Sequence, residues 1–82
     1  MKKINNERII KILSPYLDNI EELKKKPNDN LENYGLTSIT FIHIIVDLEK
    51  EFACEIPDEY LFISNMNTIS KIISVIKGCK KT

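Results

Sequence analysis

Among the 82 residues of the chain, the side chain best placed to do chemistry is Ser38. It follows Gly35-Leu36-Thr37 and precedes Ile39-Thr40-Phe41-Ile42, which reads as the opening of a helix with an apolar stripe. A helix start leaves backbone N–H groups unpaired and carries the positive end of the helix dipole. A phosphate ester on Ser38 would therefore sit where negative charge is favoured, making this a good anchoring point for a phosphate-linked arm. Ser14, Ser64, Ser70 and Ser74 lack the glycine-preceded helix start. From Gly-x-x-Ser alone, the plain reading of Ser38 is a capping hydroxyl.

The other chemical candidates are weaker. His43, the only histidine, lies five residues after Ser38. That spacing rotates it by roughly 140° around a helix, so a hydrolase built on Ser38 and His43 ranks last among the readings. His43 and Asp47 have the i, i+4 spacing of two metal ligands, but no third completes a site, and His43 reads as a surface residue. Glu49, Glu51, Glu55, Asp58 and Glu59 carry no signal of buried pairing that would raise a carboxyl pKa for acid chemistry; they read as a solvated acidic face. Cys54 and Cys79 lack the close spacing of a metal or redox motif and read as two reduced thiols.

From Leu31 to Ile76 the chain resembles the acyl carrier and peptidyl carrier proteins. The resemblance rests on Gly35-Leu36-Thr37-Ser38-Ile39, Leu48-Glu49-Lys50-Glu51-Phe52, Glu55-Ile56-Pro57-Asp58-Glu59 and Thr68-Ile69, in this order and spacing. It implies that Ser38 receives 4'-phosphopantetheine from coenzyme A, through a phosphopantetheinyl transferase, and that the arm's thiol carries acyl or aminoacyl groups as thioesters. Thr37 departs from the pattern, since most members have Asp there, and this bears on which transferase recognises the site. Thr remains a good helix cap.

Composition and patterning define the frame that must hold Ser38. Eighty-two residues make one small domain with a modest core, too short to enclose a deep substrate cavity; the single domain spans 1–82 with an ordered core of about 4–78. Twelve basic and 12 acidic residues balance. Between Asp29 and Ile63, however, eight acidic residues face Lys50 alone, a local charge of −7. Such a region favours partners with Arg and Lys patches and argues against nucleic-acid binding. No stretch has membrane-spanning length and the start of the chain lacks a signal-peptide run, so a cytoplasmic protein without membrane association is expected.

Apolar periodicity predicts a first helix from Ile4 or Asn6, ending or kinking near Leu13 to Ser14 because Pro15 has no N–H to donate. Ser14-Pro15 could cap a short segment reaching Glu22. A long connection then leads to Ser38, with Leu31, Tyr34 and Leu36 as anchors and Gly35 as a tight turn. The second helix should run from Ser38 to Phe52 or Ala53. Its Phe41, Ile44, Ile45, Leu48 and Phe52 fall on one arc, assigned to the core, while Ile39, Ile42 and Val46 fall on another, exposed at least in part. A short helix from Asp58 to Ile63 and a last helix capped by Asn67 and ended by Gly78 follow, with Lys77, Lys80 and Lys81 at its negative end and a frayed tail beyond.

The expected fold is all-α: an acyl-carrier-like four-helix bundle of three longer helices and one short one, with a long loop between the first and second. The expected protein is a monomeric, stand-alone carrier, a substrate of its transferase and of loading and processing enzymes and not itself a catalyst, holding no metal. Thr37, Ile39, Ile42, Val46, Glu49, Asp58 and Glu59 form its expected docking face. Ile39 after the serine, Leu36 and the neutral net charge resemble carriers of specialised peptide or polyketide biosynthesis more than strongly acidic fatty-acid carriers. The alternative is an interaction module of the same fold with Ser38 unmodified.

Overall fold

In the computed structural model, which describes residues 4–81, the chain enters its first helix, α1 (Asn6–Leu13), at Asn5. The Asn5 side chain accepts the Arg8 N–H at 2.8 Å and so satisfies one of the free donors of the first turn. Helix α1 stops where Pro15 requires: Pro15 has no N–H for the Lys11 carbonyl, and the Ser14 hydroxyl donates to that oxygen instead at 3.1 Å. Ile9, Ile10 and Leu13 turn inward, and α1 packs against all three later helices.

The second helix, α2 (Ile20–Lys25), is the short one, and it differs from the segment expected to start at Ser14-Pro15 and reach Glu22. The Asp18 N–H is drawn to the Tyr34 carbonyl at 2.8 Å, which ties this stretch to the long loop and delays the helix. Asn19, in the left-handed region at φ 54°, then redirects the chain. Leu23 is the buried anchor of α2.

The connection to the next helix is pinned along its length. Asn30 caps a 3-10 turn at Leu31–Tyr34, the Leu31 N–H donates to the Asn67 carbonyl at 2.7 Å, and Leu31, Tyr34 and Leu36 are buried as expected. Gly35 reverses the chain at φ 99°, ψ 9°. There an added Cβ would be strained and would meet the Asp18 carboxylate at 3.3 Å. Helix α3 (Ser38–Phe52) follows with the expected bounds, burying Phe41, Ile44, Ile45, Leu48 and Phe52.

After α3 the structure departs from expectation. Ala53 ends the helix in the left-handed region, and Cys54–Glu55 forms β1. In place of one helix from Asp58 to Ile63 there are two 3-10 turns, Asp58–Tyr60 and Ile63–Asn65, joined through an extended Phe62. Tyr60-Leu61-Phe62-Ile63 is a continuous apolar run without 3.6-residue spacing, so a helix here has no stripe to bury, and a short helix nucleates poorly. Helix α4 (Ile69–Gly78) is capped by Thr68, whose side chain accepts the Lys71 N–H at 3.1 Å. The expected cap, Asn67, is occupied elsewhere: its side chain accepts from Lys71 Nζ and its carbonyl from Leu31. Ile69, Ile72, Val75 and Ile76 line the core.

The described residues beyond Gly78, 79–81, are also not frayed. Lys80–Lys81 forms β2, antiparallel to β1 with Cys54 opposite Lys81. Cys54 and Cys79 are joined in a disulfide, Cα to Cα 6.1 Å, and so are not the two reduced thiols expected. Closing a loop of sequence separation 25 stabilises the fold by about 3 kcal/mol through the unfolded chain. The side chains of Lys80 and Lys81, expected near the α4 dipole, lie outside the described residues, as do positions 1–3 and 82. The architecture is an all-α bundle with this two-residue ladder at one edge.

Gly35→Ala is expected to lower unfolding stability by about 1–2 kcal/mol, because an L residue is placed in left-handed backbone. Gly78→Ala, at the end of α4 with open space around the added carbon, should instead be neutral or stabilise by up to about 1 kcal/mol. Urea midpoints at unchanged slope check both.

Candidate functional site

Helix α3 is started by threonines and not by Ser38. The Thr37 side chain accepts the Thr40 N–H, and the Thr40 hydroxyl accepts the Thr37 N–H at 2.9 Å, a reciprocal capping box. This removes the plain reading of Ser38 as a capping hydroxyl. Ser38 is the first residue of the helix proper and is exposed. The first turn of α3 contains no acidic side chain, so the positive end of its dipole is not offset there. A phosphate ester at Ser38 fits both the space and the field.

Beside Ser38 runs an open groove of about 440 Å3, lined by Phe41, Ile42, Ile45 and Val46 of α3 and by Leu61, Phe62 and Ile63 of the loop before α4. Its volume lies in the range of small-molecule sites, and apart from the serine its lining side chains are apolar. The space among Leu13, Leu36, Ile44 and Ile72 inside the bundle has no room for a water molecule.

The expected docking residues fall into two groups. Ile39 is 71% exposed, Ile42 63% and Val46 42%, and Ile42 and Val46 line the groove with Ser38. Asp58 and Glu59 are exposed in the first 3-10 turn, at the root of the groove's second wall. Thr37 serves the capping box. Glu49 is half-buried, its carboxylate accepting the Ile56 N–H at 2.9 Å, so it fixes the exit from α3. The second wall was not expected as part of the site. Its signal was the unbroken apolar run Tyr60 to Ile63, of which Phe62, 62% exposed, is the most prominent member.

His43 and Asp47 are both engaged with Tyr16, at the end of α1. The His43 ring stacks on Tyr16 with centroids 6.0 Å apart and planes at 7°, and the Tyr16 hydroxyl donates to Asp47 at 2.6 Å. That hydrogen bond, then burial, raises the Tyr16 pKa. Among the described residues no group of three or more His, Cys, Asp or Glu side chains could hold a metal ion. Also among them, no helix is long and apolar enough to cross a membrane.

An exposed serine opening a helix beside an apolar groove is the geometry of a tethering site. The family model described as the phosphopantetheine attachment site matches residues 7–76, and the chain belongs to that family. Its domains are sites of covalent 4'-phosphopantetheine attachment; they carry intermediates for other enzymes and are not themselves catalysts. No solved structure matches the chain.

The loop that delivers Ser38 depends on Tyr34, whose hydroxyl donates to the Asp29 carboxylate at 2.8 Å. This hydrogen bond first, and then burial, push the Tyr34 pKa from 10.0 to about 12. The fold thus favours the neutral phenol, so this contribution to stability is complete below pH 10 and lost as pH rises through about 12. Tyr34→Phe should flatten the alkaline fall in stability and remove a step near pH 12 from a tyrosinate absorbance titration.

Proposed function

We propose that Ser38 is the attachment point of the 4'-phosphopantetheine arm and that this single carrier domain presents acyl or aminoacyl thioesters to the enzymes of a specialised biosynthetic pathway, of the peptide or polyketide kind. One observation carries the reading: Thr37 and Thr40 cap α3 between themselves, leaving Ser38 exposed at the helix start and beside the apolar groove. In the loading step the Ser38 oxygen forms a bond to the phosphorus of coenzyme A that bears the pantetheine. Adenosine 3',5'-bisphosphate leaves and the serine proton passes to a base of the transferase. The unfilled dipole at the α3 start favours the negative phosphodiester that results.

The groove lining favours apolar cargo, since each methylene taken out of water is worth about 0.8 kcal/mol. Charged or strongly polar groups gain nothing there and remain in solvent. Ile39, Ile42 and Val46 form an apolar landing strip next to the arm, and Asp58 and Glu59 supply charge for a basic partner surface. The transferase and the loading and processing enzymes are the proposed partners of a monomer working in the cytoplasm, where coenzyme A is available, with no part for nucleic acid or membrane. The neutral net charge supports specialised over bulk fatty-acid metabolism.

Incubation with coenzyme A, Mg2+ and a broad-specificity phosphopantetheinyl transferase should add one phosphopantetheinyl group, read by intact mass, and Ser38→Ala should abolish the gain. No gain on a chain shown by circular dichroism to be folded would point to an unmodified interaction module instead. Ile42→Asp places a charge on the landing strip. It should lower the transferase kcat/KM about tenfold, the loss of one moderate interface contact, while thermal unfolding changes little.

A further inference from the structure

We propose that Cys54 and Cys79 form a redox latch that sets the mobility of the groove wall beside Ser38. The wall is an arch: between Ile56, 2% exposed, and Met66, 1% exposed, no side chain is fully buried, and Ile63 packs only partly against the core. Segments with few buried contacts open at the low end of a protein's local stabilities. The disulfide stands at the foot of this arch. Cys54 precedes Ile56 by two residues, and its bond to Cys79 at the end of α4 closes a covalent ring containing the whole arch and α4. With the bond made, the foot is fixed covalently to α4; with it broken, the foot is held by the two-residue ladder, the Glu49 hydrogen bond to Ile56 and the burial of Ile56 in the core.

The inference draws on the cytoplasmic carrier reading at one point. In a reducing compartment a disulfide is characteristically transient or redox-sensing and not a permanent staple. The reaction is thiol–disulfide exchange with a small disulfide such as glutathione disulfide. One cysteine thiolate attacks it, forming a mixed disulfide and releasing one glutathione. The second cysteine sulfur then attacks the protein sulfur of that mixed disulfide, forming the Cys54–Cys79 bond and releasing the second glutathione. Two electrons pass from the cysteines to glutathione disulfide, and the two thiol protons end on the two glutathiones. Reduction runs the same steps in reverse. Both cysteines are buried, so exchange requires the arch foot to open, which couples the wall's motion to the redox step.

The test uses the wild-type chain with Ser38 unmodified, which keeps any arm thiol out of the exchange and makes the outcome independent of the attachment site. The chain is equilibrated in glutathione buffers of graded ratio. Free thiols are counted by alkylation and intact mass, and amide hydrogen exchange is followed in the oxidised and reduced forms. The expected result is a complete, reversible transition between no and two alkylated thiols. On reduction, amides of residues 58–65 should exchange at least about tenfold faster, while α1 and α3 remain the slowest-exchanging elements of a chain that stays folded. The latch is overturned by thiols that stay alkylatable at every ratio, by equal exchange of the arch in both forms, or by protection lost throughout the reduced chain, which would make the bond a plain structural staple.

Discussion

Everything about the site depends on how the stretch from Asp29 to Thr37 is held, because that stretch fixes where α3 begins and which residue stands at its first position. Three buried side chains, Leu31, Tyr34 and Leu36, fasten it to the bundle, and backbone bonds from Leu31 to Asn67 and from Asp18 to Tyr34 tie it to the start of α4 and to the segment before α2. Gly35 then turns the chain in backbone that other residues occupy only under strain. The turn delivers Thr37 in extended conformation, with its side chain already spent on Thr40. Ser38 is exposed as a consequence of this sequence of constraints. A threonine in the cap position and a serine after it separate two tasks, starting the helix and offering a hydroxyl, that one residue could not perform together.

The groove shows a different balance. Burying apolar side chains is the main favourable term in so small a fold, yet Ile39, Ile42 and Phe62 remain mostly in water. Helix α3 can sustain this because its inward face alone, from Phe41 to Phe52, meets the core along the full length of the helix. The opposite wall has no comparable support. It rests on Ile56 and Met66 at its ends and on the partly buried Ile63 between them, with cross-ties from the Asn65 side-chain amide to the Glu59 carbonyl and from Lys71 Nζ to the Ser64 carbonyl. One side of the groove is thus a helix seated on the core and the other a segment of 3-10 turns with few buried side chains.

How far the sequence disclosed this structure follows from which forces decide each part. Helix α3 was legible to within a residue because its apolar positions repeat at helical spacing over four turns and because its exposed stripe is offset from its buried one. The end of α1 was legible because Pro15 removes a donor, a local effect that no tertiary contact can restore. The parts that were not legible are those settled at a distance. The start of α2 is delayed by a bond from Asp18 to Tyr34, 16 positions away, and Thr68 caps α4 because Asn67 is engaged by Leu31 and Lys71. Cys54 and Cys79 carry no sequence sign of pairing, since they meet only when β2 folds back along β1. For the site, Ser38 and the stripe of Ile39, Ile42 and Val46 could be read from one helix, whereas the wall from Leu61 to Ile63 required the tertiary fold to bring it across.

The acidic character of the chain also has a narrower meaning than a charge count suggests. Of the eight carboxylates between Asp29 and Ile63, four have tasks within the fold. Asp29 accepts from Tyr34, Asp47 from Tyr16 and Glu49 from the Ile56 N–H, while Glu51 pairs with Arg8 at 2.6 Å. These bonds orient carboxylates that a uniform acidic face would leave free, and they secure the loop before α3, the contact of α3 with α1 and the foot of the arch. The exposed carboxylates of the turn that leads into the groove wall are Asp58 and Glu59. Recognition built on such a surface is governed by shape and apolar area, with charge acting chiefly on approach and orientation. For a partner docking as proposed, the placement of two acids beside the groove counts for more than the sum over the sequence.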